Sequence, residues 1–430
     1  MAPEVETHLV NAVLTNGARY YVDHAHPEFS TPECADAREC VRFDKAGERI
    51  LAQSMEAALQ VLPTGHDIVV YKNNSDRKGN SYGTHENYLM DRAVPFGRIV
   101  QHVMPHFISR QIYTGAGKLG SEVLTGDAQI PFQLTQRADF FEEEVGLETT
   151  LKRPIVNTRD EPHADAQRYR RLHVIVGDAN LCEVATYLKV GVTALVLAMI
   201  EDDYFGDVDL TLAAPVQSLR KVSYDLSLST ALELADGRTM TALEMQWELL
   251  DLGRKYAEDR GLEAVDDEVG RDVLDRWEAT LSALEVDPMT LVRQLDWVAK
   301  YQLVDAYRSR HGLEWDDSKL AAMDLQYHDV RPEKSLFARL DIEHIVDEAS
   351  VQEAITEPPP STRAYFRGRC LQKWASSIAA ANWDSLVFDL GTDPLRRVPM
   401  MEPLRGTAAH VDSLLEGCQT PAELLAALES

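Results

Sequence analysis

Arg19, Tyr21 and Asp23 alternate along a short run of β-forming residues, ARYYVD, and His24, His26, Glu28 and Glu33 follow closely. In a strand, alternate side chains project to one face. The Arg, the Tyr and the Asp therefore share a face, while Tyr20 and Val22 point the other way. Such a face could hold an anion, a metal ion and a proton acceptor, or could be the solvent side of a sheet with an exposed ion pair. His24 and His26 offer two ligands of a zinc site. Zinc needs a third ligand and a supporting shell, and the sequence has neither an HExxH motif nor a cysteine pair at zinc spacing. The carboxylates of Glu28 and Glu33 suit magnesium better.

Two further stretches carry reactive side chains. YKNNSDRKGNSYGTHENYLM, residues 71–90, is rich in Asn and Gly and reads as a loop, with His85 beside Glu86 on the loop or at a helix start. Its Asn73 and Asn74 could cap turns or serve a site. RPIVNTRDEPHADAQRYRRLHVIVGDANL, residues 153–181, places Arg159 in a loop and Arg170 and Arg171 at the entry of a strand that carries His173. A strand histidine is commonly a hydrogen-bonded structural residue; beside an arginine-rich loop, a phosphate-binding reading gains weight. TGAGKLG, residues 114–120, is not a phosphate loop, because Leu119 follows Lys118 where Ser or Thr is required and the upstream Gly is missing.

The elements that must hold these residues are mixed. The first part of the chain alternates strand and helix signals, with strands expected at 18–23, 66–72 and 172–176 and helices at 45–61 and 183–200. From 226 to 354 the pattern turns helical, with charged outer faces that read as solvated surface. EPPPST, residues 357–362, reads as a linker, giving a catalytic domain over 1–356 and a small C-terminal domain over 363–430. The chain has 430 residues and a formal net charge of −27, which argues against binding to nucleic acid or anionic membrane. Five cysteines without a CxxC pair suggest reduced thiols and a cytoplasmic protein. The apolar run 184–200 contains Lys189 and reads as a buried helix rather than a membrane span.

NGARYYVDHAHPEFSTPE, the 71–90 and 153–180 stretches, and the later STRAYFRGRC, NWDSLVFDL and RVPMMEPLRGT together resemble the Pup ligase–depupylase family. That family is related in fold to glutamine synthetase and γ-glutamyl-cysteine ligase. The resemblance implies an α+β chain: a glutamine synthetase-like domain with a curved, mainly antiparallel sheet packed by helices, plus the small C-terminal domain. The wording YVDHAHPE and RVPMMEPLRGT is nearer to the depupylase branch than to the ligase branch. It implies an ATP- and Mg2+-dependent enzyme that hydrolyses the isopeptide bond between Pup and a substrate lysine, and deamidates the C-terminal Gln of Pup. Pup and pupylated proteins would be its partners, with a functional link to the bacterial proteasome. A ligase of the same family, or a non-catalytic Pup-binding protein, are the alternatives.

Residue by residue, the resemblance implies that Asp23 is catalytic, that Arg19, Thr31 and Trp383 contact ATP, and that Tyr21 and Glu28 serve the metal. His85 on the metal side, with Arg137, Arg159 and His173 on the phosphate side, would line the rest of the nucleotide region. Arg363, Arg367, Arg369 and Lys373, with Arg396 and Arg397, form a basic cluster expected to border a groove for acidic Pup. Family members begin with a strand carrying a G-x-E-x-E-Y motif whose glutamates bind metal, followed by a mobile loop. The sequence as given lacks both. The expectation is therefore that the neighbour of the Asp23 strand lies before Met1, and that the 430-residue product is less stable and poorly active.

Overall fold

The computed structural model describes residues 11–23, 26–123, 130–391 and 394–429. Contacts gather the described residues into two compact units. One takes Met1–Ile68, Glu161–Gln167 and Val346–Ser430; the other takes Val69–Asp160 and Arg168–Ile345.

The first unit is built on a three-stranded antiparallel sheet, β1 (Asn11–Val13), β2 (Arg19–Asp23) and β3 (His26–Ser30), in the order β1-β2-β3. Asn16 and Gly17 turn the chain between β1 and β2. Gly17 sits at φ +82, where a side chain would be strained and a Cβ would come within 3.0 Å of Ala364. Asn16 accepts from the Ala18 amide and donates to the Ala354 carbonyl, so the turn is tied down by its own side chain. Ladder register places Asn11 opposite Tyr21 on one edge, and Glu28 opposite Tyr21 on the other. The neighbour of β2 is thus already in the chain, which corrects the expectation that it lies before Met1.

The back of this sheet rests on α1 (Ala37–Leu59), whose N-terminus is capped by Asp36. Tyr20 hydrogen-bonds Ser54 of α1 at 2.8 Å. Phe29, opposite Tyr20 in the ladder, lies so close to α1 that a Cβ on Gly47 would meet its ring at 2.4 Å. Anchoring through Tyr20 and Phe29 leaves the other face to Arg19, Tyr21 and Asp23.

The boundary expected at 357–362 does not separate the two units. Pro358 and Pro359 are buried, Ser361 donates to Glu39, and Thr362 donates to the Glu33 carbonyl at 2.7 Å. Proline stops a helix but does not prevent packing. Beyond this segment Phe366, Trp374, Leu386, Phe388 and Leu424 share a hydrophobic core, so the C-terminal segment has an apolar centre of its own within the first unit.

The second unit joins helices to short ladders. Glu86–Asp91 pairs antiparallel with Tyr169–Val174, and Phe141–Gly146 pairs parallel with Arg153–Asn157. Helix Glu183–Glu201 is long and apolar enough to span a membrane by composition, yet it is almost wholly buried in the core, with Leu188, Val192 and Val196 fully covered. Helices Ala242–Arg260, Asp267–Val286, Asp296–His311 and Ser318–Tyr327 fill most of the region expected to be helical, and the first opens on a Thr241/Glu244 capping box. Two local expectations are corrected. The run 66–72 forms no strand: Tyr71 makes an isolated bridge to Asp329, and Lys72 donates to the His328 carbonyl. Its few apolar residues find an irregular partner rather than a ladder. Glu86, expected in a loop or at a helix start, instead begins a strand; Arg110 holds it there through a buried ion pair, Nη2 to Oε1 at 2.5 Å.

Candidate active site

On the open face of the first unit, β2 and its neighbours bring Arg19, Tyr21, Asp23 and Glu28 together. Arg19 Nη2 donates to the Asn11 side chain at 3.0 Å, and its guanidinium lies 5.7 Å from the centre of the Trp383 ring. Its Nε is buried and has no hydrogen-bond partner among the described residues. An orphaned guanidinium donor costs free energy that an incoming anion would recover. Burial, then the charge of Arg367, holds the Arg19 pKa below its ordinary value. Tyr21 contacts Ser30 at 3.3 Å, and burial, helped by nearby Glu28 and Asp23, pushes its phenol up to about 12. It is therefore a neutral O–H at physiological pH. Asp23 ends the strand and is solvent-exposed. Thr31 follows directly on β3.

Glu33, expected as a possible magnesium ligand, has a different task. It receives Arg363 Nε at 2.7 Å and Arg367 Nη2 at 2.5 Å, and these two guanidiniums overcome its burial to hold the carboxyl down to about 2. Arg363 and Arg367 are themselves buried. Arg369 pairs with Glu357, Lys373 donates to the Leu415 and Cys418 carbonyls, and Arg396 and Arg397 pair with Glu429 and Asp384. The expected basic border for Pup is corrected for Arg363 and Arg367, which lie inside the fold, while Arg396 and Arg397 remain exposed. The signal for burial was available, since Arg363 caps and Arg367 lies within helix Ala364–Trp374, with apolar residues around both arginines.

His26 is exposed, and His24 lies outside the described residues, as does any His-x-His geometry. No group of three or more His, Cys, Asp or Glu among the described residues is arranged to hold a metal. Glu28 and Tyr21 could therefore supply only part of a magnesium shell. That fits an ion which keeps waters and takes phosphate oxygens.

The second unit gathers His85, Arg137, Arg159 and His173. The His85 and His173 rings meet edge to face at 5.1 Å. His85 is exposed as a residue, yet desolvation of its ring, and then the charges of Arg137, His173, Arg153 and Arg159, lower its pKa from the ordinary value to about 3. Arg137 is buried, donating to Ser81 and to the Ile175 and Gly177 carbonyls, and burial lowers it to about 10. His173 Nδ1 contacts the Asn87 side chain at 2.9 Å, which also receives Arg171. The second unit thus presents a positively charged cluster suited to phosphate. Sequence reasoning missed Arg153, which opens a strand, stacks near Phe140 and donates to the Ser81 and Thr149 carbonyls. It also missed Asn87. Both lie in ladders flanking the residues singled out, and ladder pairing was the absent information. Asn74, by contrast, is structural: it exchanges two hydrogen bonds with Ala179. Lys118 is buried against Glu122, in keeping with rejection of a phosphate loop.

Comparison with known proteins identifies the family and the fold. The family described as Pup-ligase protein matches residues 2–387. The chain belongs to the Pup-ligase family. It is 58% identical over 426 residues to a protein named depupylase from Acidothermus cellulolyticus, covering 98% of this chain and 84% of that one. It is 49% identical over 427 residues to the Pup deamidase/depupylase of Mycobacterium tuberculosis (98% and 83% covered), and 42% identical over 414 residues to the Pup–protein ligase of Acidimicrobium ferrooxidans (94% and 89% covered). The solved Pup ligase PafA in complex with ADP superposes with a TM-score of 0.86 at 37% identity, covering 96% of this chain and 90% of that one. PafA in complex with Pup gives 0.85 at 35%, covering 99% and 87%. The α+β, glutamine synthetase-like fold of the Pup-ligase family is thus the fold of this chain, its ladders antiparallel in all but one pairing among the described residues.

Proposed function

We propose that this member of the Pup-ligase family is a depupylase. It hydrolyses the isopeptide bond between the C-terminal γ-carboxyl of Pup and a substrate lysine, and converts the C-terminal Gln of Pup to Glu. The observation that carries this reading is the identity gradient. Across 98% of the chain it is 58% and 49% identical to proteins named for depupylation, against 42% to one named for ligation. On this reading its partners are Pup and pupylated proteins in the cytoplasm, upstream of the bacterial proteasome.

Asp23 supplies the reacting carboxylate. It either adds to the γ-carbonyl, expelling the lysine amine and leaving an anhydride that water opens, or takes a proton from the water that adds. In both routes the C–N bond breaks; the departing amine takes its proton from solvent water in the first and from protonated Asp23 in the second. Arg19 offers its unpartnered Nε to an anion. Tyr21 remains a hydrogen-bond donor, and Glu28, across the ladder, is the carboxylate best placed for a divalent ion. A bound nucleotide with magnesium would supply the charged environment that stabilises the developing oxyanion. Within the second unit, Arg137, Arg159 and His173 suit phosphate oxygens, and neutral His85 can offer a lone pair to a metal ion. Thr31 and Trp383 complete the proposed nucleotide contacts.

Incubation with a Pup conjugate, ATP and magnesium tests this. Release of free Pup and free target without stoichiometric ADP supports hydrolysis. Formation of conjugate from Pup ending in Glu, with one ADP per bond, would assign the chain to the ligase reaction instead.

A further inference from the structure

The sequence reading placed Arg367 at a surface groove. The structure puts it at the centre of a buried hub. Its guanidinium donates to both oxygens of Glu33, at 3.2 and 2.5 Å, and to the Gly17 carbonyl through Nε and Nη2, at 3.2 and 2.8 Å. The same group donates to the Trp383 carbonyl at 3.2 Å and lies 5.0 Å from the centre of the Trp383 ring. Gly17 leads into β2, Glu33 follows β3, and Trp383 connects strands Ile378–Ala381 and Ser385–Phe388. One side chain therefore grips the start of the reactive hairpin, its exit and the loop that bears the tryptophan. Arg363, the N-cap residue of the same helix, braces Glu33 from a second direction and donates to the His163 and Met400 carbonyls.

We propose that Arg367 is a positioning residue for nucleotide binding, fixing both the backbone and the ring of Trp383 against the Arg19 face of β2. A planar fork with several fixed donors can do this; an ammonium, a compact point charge on a flexible stem, cannot hold the same partners at once. Both guanidiniums, Arg19 and Arg367, approach one indole ring. A shift of that ring would therefore loosen the wall on which Arg19 rests. The inference rests on the nucleotide-binding reading given above.

ADP affinity measured by titration calorimetry on wild type, R367K, W383A and the double variant tests it, with near-ultraviolet circular dichroism as a check on folding. If Arg367 acts through Trp383, R367K weakens ADP about tenfold in the wild-type background but less than about twofold once Trp383 is gone. Equal losses in both backgrounds, or none in either, overturn the proposal. Absence of ADP binding by wild type overturns the nucleotide reading itself, and the proposal with it. Should R367K fail to fold, E33D takes its place in the same square, since a shortened carboxylate slackens the hub while leaving every charge present. The same two outcomes then decide.

Discussion

Tyr21 lies directly across the β2–β3 ladder from Glu28, and on the other edge directly across from Asn11. This register sets a phenol, a carboxylate and an amide in one row, with Arg19 and Asp23 on the same face. A slip of one residue would turn every one of them toward α1. What prevents the slip is the packing of Tyr20 and Phe29 on the back.

Gly47 is the point at which that packing is tightest. Gly47→Ala should force the Phe29 ring outward, since a Cβ there meets it at 2.4 Å. We expect a loss of about 1–3 kcal/mol in stability, the usual cost of overpacking, measured by urea denaturation. ADP affinity should fall as well, because the displaced sheet carries Arg19. Unchanged stability would show that α1 does not set the position of the hairpin.

Glu33 gives the fold an acid-sensitive point. Its carboxyl is held at about 2 against an ordinary 4.5. A depressed carboxylate contributes stability above the unfolded value and loses it as pH falls through the folded one. Stability should therefore decline between about pH 5 and pH 2, with Glu33 accounting for roughly 3 kcal/mol. E33Q should be less stable at pH 7 and should lack that part of the decline. Parallel pH profiles for the two proteins would contradict the assignment.

His85 should not titrate in the free protein between pH 5 and 8, because it is held down to about 3. A histidine lowered on folding costs stability as pH drops below its unfolded value, since the unfolded chain then binds the extra proton. Nuclear magnetic resonance of the imidazole checks this directly. A midpoint near 6.5 would mean that the arginines around it do not act on it as described.

The strand face of the first unit was legible because it is local. Period-two alternation alone puts Arg19, Tyr21 and Asp23 on one face, and the long helices at 183–201, 242–260 and 267–286 announce themselves by their apolar spacing. Asn16-Gly17, a hairpin signal in plain view, would have revealed β1. Long-range pairing was not legible. Nothing near Glu33 in sequence says that two arginines more than three hundred residues away will bury it. Without them it looked like a metal ligand, and they looked like a surface patch. The run at 66–72 had the composition of a strand but no neighbouring strand to join, and composition does not supply partners.

Asp23→Asn tests the central claim most directly. Wild type and D23N would be compared on a preformed Pup conjugate with ATP and magnesium under single-turnover conditions, with conjugate binding measured in parallel. Asp23 is exposed at a strand end, so the variant should fold and bind conjugate like wild type while cleaving at least ~1000-fold more slowly, as expected for loss of a reacting carboxylate. Cleavage by D23N at the wild-type rate would contradict the account.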